Sequence, residues 1–331
     1  MLYEFKDLTD VKALPTKLSE LSWHITGFTD GDGSFPIVLS PVPDKKFGWL
    51  IHPRFEFELR NNKDSLTTLK IIQRVIGFNS TIDYLESSFK LNVTNRRILL
   101  EKVIPFFSRY KPALKRSEFE LFKRVTESLE AKRHLERDGF KEIVTDIFSL
   151  PVNNEQRRMW TFSDIFPKER PPAKAAAATL VLPEGLALRH YITGFIDAEG
   201  ALGFVVIPET KTLTPYLTLT HSNTNVLRKV QQILQAGNIS TGRLQIYGVD
   251  TINEKIVPFL EKYQLITRRT VYLEFKKILE LVTAGEHKKR FDEIVSMVRT
   301  MNDRGILRDH TLGAHPGMES EDMAQPRKRV A

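Results

Sequence analysis

Apolar residues at Leu18, Leu21, Ile25 and Phe28 recur at three- and four-residue steps, which predicts a helix of about four turns ending at Gly33. The period then changes. SFPIVLSPV (34–42) and LIHPRFEFEL (50–59) read as strands, the second with Phe55, Phe57 and Leu59 alternating with Arg54, Glu56 and Glu58. A helix is predicted over 63–76, a weaker pair of strands near 80–94, and helices over 96–109 and 117–133. In the last strand Phe89, Leu91 and Val93 alternate with Lys90, Asn92 and Thr94. One face therefore buries against helices and the other carries groups suited to donors and acceptors on base edges.

The same pattern occurs twice. WHITGFTDGDGSF at 23–35 returns as HYITGFIDAEGALGF at 190–204, an offset of 167 that carries Asp32 onto Glu199. NRRILLEKVIPFFSRY (95–110) matches GVDTINEKIVPFLEKY (248–263), and SEFELFKRV (117–125) matches TVYLEFKKI (270–278), both at an offset of 153. In the second copy Leu244 and Ile246 alternate with Arg243, Gln245 and Tyr247. The expected class is α+β, built from two pseudo-symmetric α-β-β-α-β-β-α repeats, each with an antiparallel sheet. Between them FPKERPPAKAAAATLVLPEG has linker composition. The expected organisation is an N-terminal repeat over 1–165, a linker over 166–185, a C-terminal repeat over 186–310, and a disordered tail over 311–331.

Composition narrows the partners. The chain has 331 residues with 49 Lys and Arg against 41 Asp and Glu, a net charge of +8 that favours a polyanion. No cysteine is present, so thiol nucleophiles and thiolate metal sites are excluded and any metal must sit on oxygen or imidazole. No apolar run approaches the length of a bilayer span, and residues 1–23 read as neither a secretory signal nor a transit peptide.

Candidate chemistry concentrates on the duplicated helix. Gly27 and Gly31, and in the second copy Gly194 and Ala198, lie four residues apart on one face. Glycine inside a helix costs about 1 kcal/mol relative to alanine, and close approach of two backbones about a pseudo-twofold axis supplies the compensation. Each helix ends in an acid and a glycine, Asp32-Gly33 and Glu199-Gly200. Convergence of the helix ends places these carboxylates side by side, an arrangement that hard cations such as Mg2+ stabilise and that phosphodiester hydrolysis uses. Asp30 and Asp197 fall on another face and read as structural groups.

ITGFTDGDG and ITGFIDAEG resemble the two signature helices of the LAGLIDADG homing endonucleases, and the resemblance extends over about residues 15–300. It implies a site-specific, metal-dependent nuclease that cuts both strands of a long DNA site. By the same resemblance Asp32 and Glu199 would hold the metal, with the carbonyls of Gly31 and Ala198 contributing, and Mg2+ would be the cofactor, with Ca2+ or Mn2+ as substitutes in assays. Lys115 and Arg268 would stand near the scissile phosphate, with Arg269 a near-equal match for the second. The saddle-shaped sheets would contact DNA through Ser40, His52, Arg54, Glu56, Lys90, Asn92 and Thr94 in one half, and Tyr216, Thr218, Arg243, Gln245 and Tyr247 in the other. The implied partner is double-stranded DNA, bound by a monomer, with the chain's own intron RNA as a further candidate and an organelle such as the mitochondrion as the compartment.

Other readings carry less. DGDGS at 30–34 begins like a calcium loop but has Phe35 and Pro41 where that loop needs glycine and glutamate. No GxxxxGK[ST] or HExxH occurs. An RNA-binding maturase and a non-catalytic DNA-binding protein share the resemblance, and retention of both acids favours the nuclease.

Overall fold

The structure, a computed structural model, describes residues 17–150, 159–176 and 179–305. The tail expected over 311–331 lies outside the described residues. Helix α1 (Leu18–Asp32) has the bounds its periodicity predicts. The hairpin that follows does not. Where two unbroken strands are expected, the chain forms β1 (Gly33–Ser34) and β2 (Ile37–Pro41), then β3 (Trp49–Pro53) and β4 (Phe55–Arg60). Pro36 and Pro53 have no N–H to give to a ladder, and the hairpin bends where they stand. The Arg54 amide donates to the Pro36 carbonyl at 2.9 Å and carries pairing across the bend.

Helix α2 (Lys63–Ile76) starts at Asn62, whose side chain accepts from the Ser65 amide, and stops at Gly77 in the left-handed region. Strands β5 (Ile82–Tyr84) and β6 (Ser88–Val93) complete a four-stranded antiparallel sheet of order β1-β4-β6-β5, while β2 and β3 form a separate ribbon. Helix α3 (Arg96–Ile98) passes through a π-helical turn (Leu99–Val103) into α4 (Ile104–Arg109), where Pro105 cannot donate to the preceding turn. Then come α5 (Arg116–Glu130), α6 (Arg137–Ser149) and the short α7 (Phe162–Ile165).

The second repeat follows the same order: α8 (Gly185–Glu199), β7 (Gly200–Ile207), β8 (Thr212–Thr220), α9 (Thr224–Leu234), β9 (Asn238–Ser240) and β10 (Arg243–Tyr247). Its sheet has the order β7-β8-β10-β9. Helix α10 (Val249–Thr251) leads through a second π turn (Ile252–Ile256) to α11 (Val257–Lys262), α12 (Arg269–Thr283) and α13 (Phe291–Gly305). The π turns recur at equivalent positions, each beside a proline. Helices α6 and α13 extend each repeat beyond the expected unit.

One core lies in the second repeat, where Leu213, Leu217, Leu219, Leu244 and Ile246 of the sheet meet Tyr272, Phe275 and Ile278 of α12. The first repeat has two. Phe55, Phe57, Leu69 and Leu91 anchor one under its sheet, and the other joins Leu39 and Ile51 of the ribbon to Val125, Phe140 and Val144. The connecting segment is docked rather than free: the Ala175 amide donates to Ser149 O at 2.8 Å, and Leu180 and Leu182 pack on the second core.

Candidate active site

Helices α1 and α8 meet along their glycine faces. A Cβ on Gly27 would overlap the carbonyl of Tyr191, one on Gly194 would overlap that of His24, and one on Gly31 would collide with the methyl of Ala198. Contacts advance together along both helices, His24 against Gly194 and Gly31 against Ala198, so the helices run in the same direction. Their C-terminal ends, and with them Asp32 and Glu199, come to one place.

The acids two residues earlier have a different task. Asp30 accepts the amides of Ala113, Leu114 and Lys115 at 2.6, 3.1 and 2.9 Å. Asp197 accepts those of Ile266, Thr267 and Arg268 at 2.6, 2.9 and 2.9 Å. Each buried carboxylate thus fixes the segment that enters the long helix of its own repeat. Each is also held from across the interface: the Tyr191 hydroxyl donates to Asp30 Oδ2 at 2.7 Å, and His24 Nε2 lies 3.2 Å from Asp197 Oδ2. His24 and Tyr191 are equivalent positions, so the two repeats exchange one polar side chain each. Burial, with Asp30 beside it, pushes the Tyr191 hydroxyl well above its ordinary pKa and keeps it a donor. The sequence signal for this exchange is the offset of 167, which carries His24 onto Tyr191.

At the helix ends, Asp32 opens to solvent and Glu199 is half-buried. Protein crowding around its remaining sides pushes the Asp32 carboxyl up to about 7; Glu199 and Asp197 add to the rise, while Arg268 and Lys115 oppose it. Lys115 Nζ donates to the carbonyls of Thr29, Gly31 and Gly33 at 3.1, 2.8 and 2.6 Å. Burial lowers the Lys115 pKa against the pull of Asp30, Asp32 and Glu199. Arg268 repeats this on the other side, with Nε to Asp197 O at 2.8 Å and Nη2 to Ala198 O at 2.7 Å. The Gly31 and Ala198 carbonyls, expected to face a metal, are thus engaged by these two cations, which satisfy orphan carbonyls at the helix ends. Of the two candidate arginines, Arg268 matches Lys115 in position and partners. Arg269 instead lies over the Tyr272 ring at 5.8 Å.

The sheets present their polar faces away from the helices. On the N-terminal sheet Glu56 stands opposite Asn92 and Glu58 opposite Lys90. Lys90 Nζ lies 3.9 Å from Glu58, and Arg54 lies 3.4 Å from Glu56. Ser40 and His52 are half-buried on the ribbon, on the face opposite Leu39 and Ile51, and Thr94 is exposed just past β6. Arg54 Nε and Asn92 Oδ1 are buried polar atoms without a protein partner. On the C-terminal sheet Thr218 pairs with Gln245, Thr220 with Arg243 and Tyr216 with Tyr247. Tyr216 departs from expectation: it is 4% exposed, its ring 5.9 Å from that of Tyr247. Alternation gives it the outer face, where it stands opposite Gly203.

The family model described as LAGLIDADG endonuclease matches residues 25–126 and 192–279, more than half of the chain in two blocks. "Probable intron-encoded endonuclease 3" of Neurospora crassa is 27% identical over 282 residues, covering 80% of this chain and 51% of the relative. "Probable intron-encoded endonuclease 2" of the same organism is 25% identical, covering 84% and 64%. The chain thus spans about half to two-thirds of the length of these relatives. Among solved structures, the I-LtrWI LAGLIDADG homing endonuclease bound to target DNA superposes with a TM-score of 0.75 at 20% identity, over 88% of this chain and 100% of that one. Two copies of the signature helix, each ending in an acid, and a family match to both halves give one conclusion: the chain belongs to the LAGLIDADG endonuclease family.

Proposed function

We propose that the chain is a site-specific double-strand DNA endonuclease that acts as a monomer with divalent metal, Mg2+ in the cell. The observation that carries this is the convergence of Asp32 and Glu199 at the ends of two parallel helices, with Lys115 and Arg268 beside them. Asp32 and Glu199 would hold the metal. The donor set fits: both are hard oxygen ligands, and the burial that raises the Asp32 carboxyl disfavours its charged form, a cost that a bound cation would offset. Among the described residues no group of three or more His, Cys, Asp or Glu stands ready to hold a metal. A sparse protein ligand set suits Mg2+, which keeps waters and takes phosphate oxygens. When bound, it would supply Lewis acidity and charge stabilisation at the scissile phosphate.

The chain's own residues do the rest. All three N–H directions of Lys115 are taken by carbonyls, so it acts through its charge and by fixing the end of α1. Arg268 has further N–H groups beyond its two carbonyl bonds, and these are free to turn to a phosphate. The sheet faces would each read one half-site, and the positive net charge strengthens binding in proportion to phosphate contacts. The relatives named as intron-encoded support an intron as the gene's setting.

The test is to incubate the protein with a randomised duplex library and sequence the ends produced. Paired ends at a fixed offset with Mg2+ or Mn2+, and intact bound DNA with Ca2+, are expected. Binding without cutting in every divalent metal, or binding to intron RNA alone, would overturn the nuclease reading.

A further inference from the structure

Arg268 stands between two anchors that belong to different repeats. From its own repeat, Asp197 accepts the amides of residues 266–268. From the other, Asp64 in the first turn of α2 accepts the Thr270 amide at 2.7 Å and the Thr270 hydroxyl at 2.9 Å. One turn further on, the hydroxyls of Thr68 and Thr267 meet at 2.9 Å. Asp64 thus caps an orphan N–H in the first turn of α12 across the repeat boundary, where the helix dipole favours a carboxylate.

Among the described residues no equivalent cross-repeat hydrogen bond holds the Lys115 segment, although Ala113 and Leu114 pack on the core of the second repeat. The helix starts Asn62 and Asn223 correspond, which sets Asn225 and Lys229 in the places of Asp64 and Thr68. Asn225 accepts from Arg228 at 2.9 Å instead, and among the described residues no hydrogen bond joins α9 to the segment entering α5. The two halves of the candidate active site are therefore built unequally. The hydrogen bonds that place Lys115 all come from its own repeat, while Arg268 has two carbonyls and a hydrogen-bonded brace from the other repeat.

We propose that Asp64, assisted by Thr68, is a positioning residue for Arg268, so that the first repeat sets the geometry of the cation in the second. The proposal rests on the nuclease reading above. Without the brace, residues 266–270 keep their Asp197 bonds but lose the contact that fixes their far side. A misplacement of about 1 Å at a reacting centre costs on the order of 100-fold. Asp64 touches no reacting group, so the loss falls on the rate at saturating protein and on one strand, and DNA binding in Ca2+ stays within about threefold.

The experiment measures cleavage of each strand separately, in single turnover on a selected site, for Asp64→Ala, Asp64→Asn, Arg268→Ala and Lys115→Ala. Expected: Asp64→Ala slows, by about tenfold or more, the strand that Arg268→Ala slows and spares the strand that Lys115→Ala slows. Asp64→Asn, which keeps an acceptor, recovers most of the rate. Thr267→Val removes only the hydroxyl contact, has little effect on folding, and shows a smaller effect on the same strand. A second readout needs no cleavage: amide exchange in the DNA-free protein should speed up over residues 266–272 in Asp64→Ala and stay unchanged over 113–119. Equal slowing of both strands, slowing of the Lys115 strand, or unchanged exchange over 266–272 would overturn the proposal. If the parent cuts no DNA, the functional reading fails and the exchange result alone decides the brace.

Discussion

A Cβ placed on Gly27 would stand 2.8 Å from the carbonyl carbon of Tyr191, on top of its oxygen, and the mirror contact holds Gly194 against His24. The obstructing atoms are backbone, so no rotamer change relieves the overlap and the helices must separate. Gly27→Ala and Gly194→Ala are each expected to cost about 3 kcal/mol or more in urea unfolding, at the top of the overpacking range. Gly48→Ala, in open space, should cost less and only through its positive φ.

The exchanged side chains should be separable from the acids they serve. Tyr191→Phe removes one bond from Asp30 and leaves three amides in place, with an expected cost of about 1–2 kcal/mol. Asp30→Asn presents an amide group to amide donors and should cost about 2–4 kcal/mol, as should Asp197→Asn. Denaturation midpoints at constant slope check the order.

Asp32 makes stability depend on pH in a definite direction. Its folded-state pKa is raised to about 7, so the folded chain retains a proton that the unfolded chain releases from about 3.8 upward. The contribution to stability is full below that ordinary value and is lost as pH rises to about 7. Metal-free Asp32→Asn should therefore melt about 2–4 °C above the parent at pH 8, with the gap closing towards pH 4. Adding Mg2+ should raise the melting temperature of the parent and not of the variant. A parent that melts higher than the variant at pH 8 without metal would contradict this.

Much of this was legible in the sequence. The bounds of α1 and α2, the repeat, the polar and apolar faces of β6 and β10, and the placement of Asp32 and Glu199 at paired helix ends all follow from periodicity and offset. What was missed has physical causes. Pro36 and Pro53 lie in segments that alternate well, so the pattern showed strands but not the bend. Phe140, Ile143, Val144 and Ile147 do recur at helical spacing, yet they follow the expected unit and α6 went unassigned. Tyr216 alternates onto the outer face, yet it is buried there beside the Tyr247 ring, a packing that alternation alone does not show. The use of the Gly31 and Ala198 carbonyls by Lys115 and Arg268 depends on long-range geometry that no local pattern encodes.

The two sheet faces differ in chemistry, and their readout should differ too. Arg54, Glu56, Glu58 and Lys90 make the first charged with both signs, while Thr214, Thr218, Thr220 and Gln245 make the second mostly neutral, with Arg243 its cation. Lys90→Gln should relax base preference within one half-site and Gln245→Ala within the other, each by about 1–3 kcal/mol at the positions read. Tyr216→Phe should leave base preference unchanged. Binding selections on each variant check this; uniform weakening across all sequences would mark Lys90 as a phosphate contact.

The central claim is that Asp32 and Glu199 together make the cutting centre without being needed for DNA binding. The direct measurement is plasmid cleavage in Mg2+ beside specific binding in Ca2+ for Asp32→Asn and Glu199→Gln. Each substitution keeps the shape of the side chain and removes the charge. Double-strand cleavage is expected to fall by at least about 1000-fold in each variant, with binding and melting temperature equal to the parent or higher. Near-normal cutting by either variant, or loss of folding in both, would contradict the account.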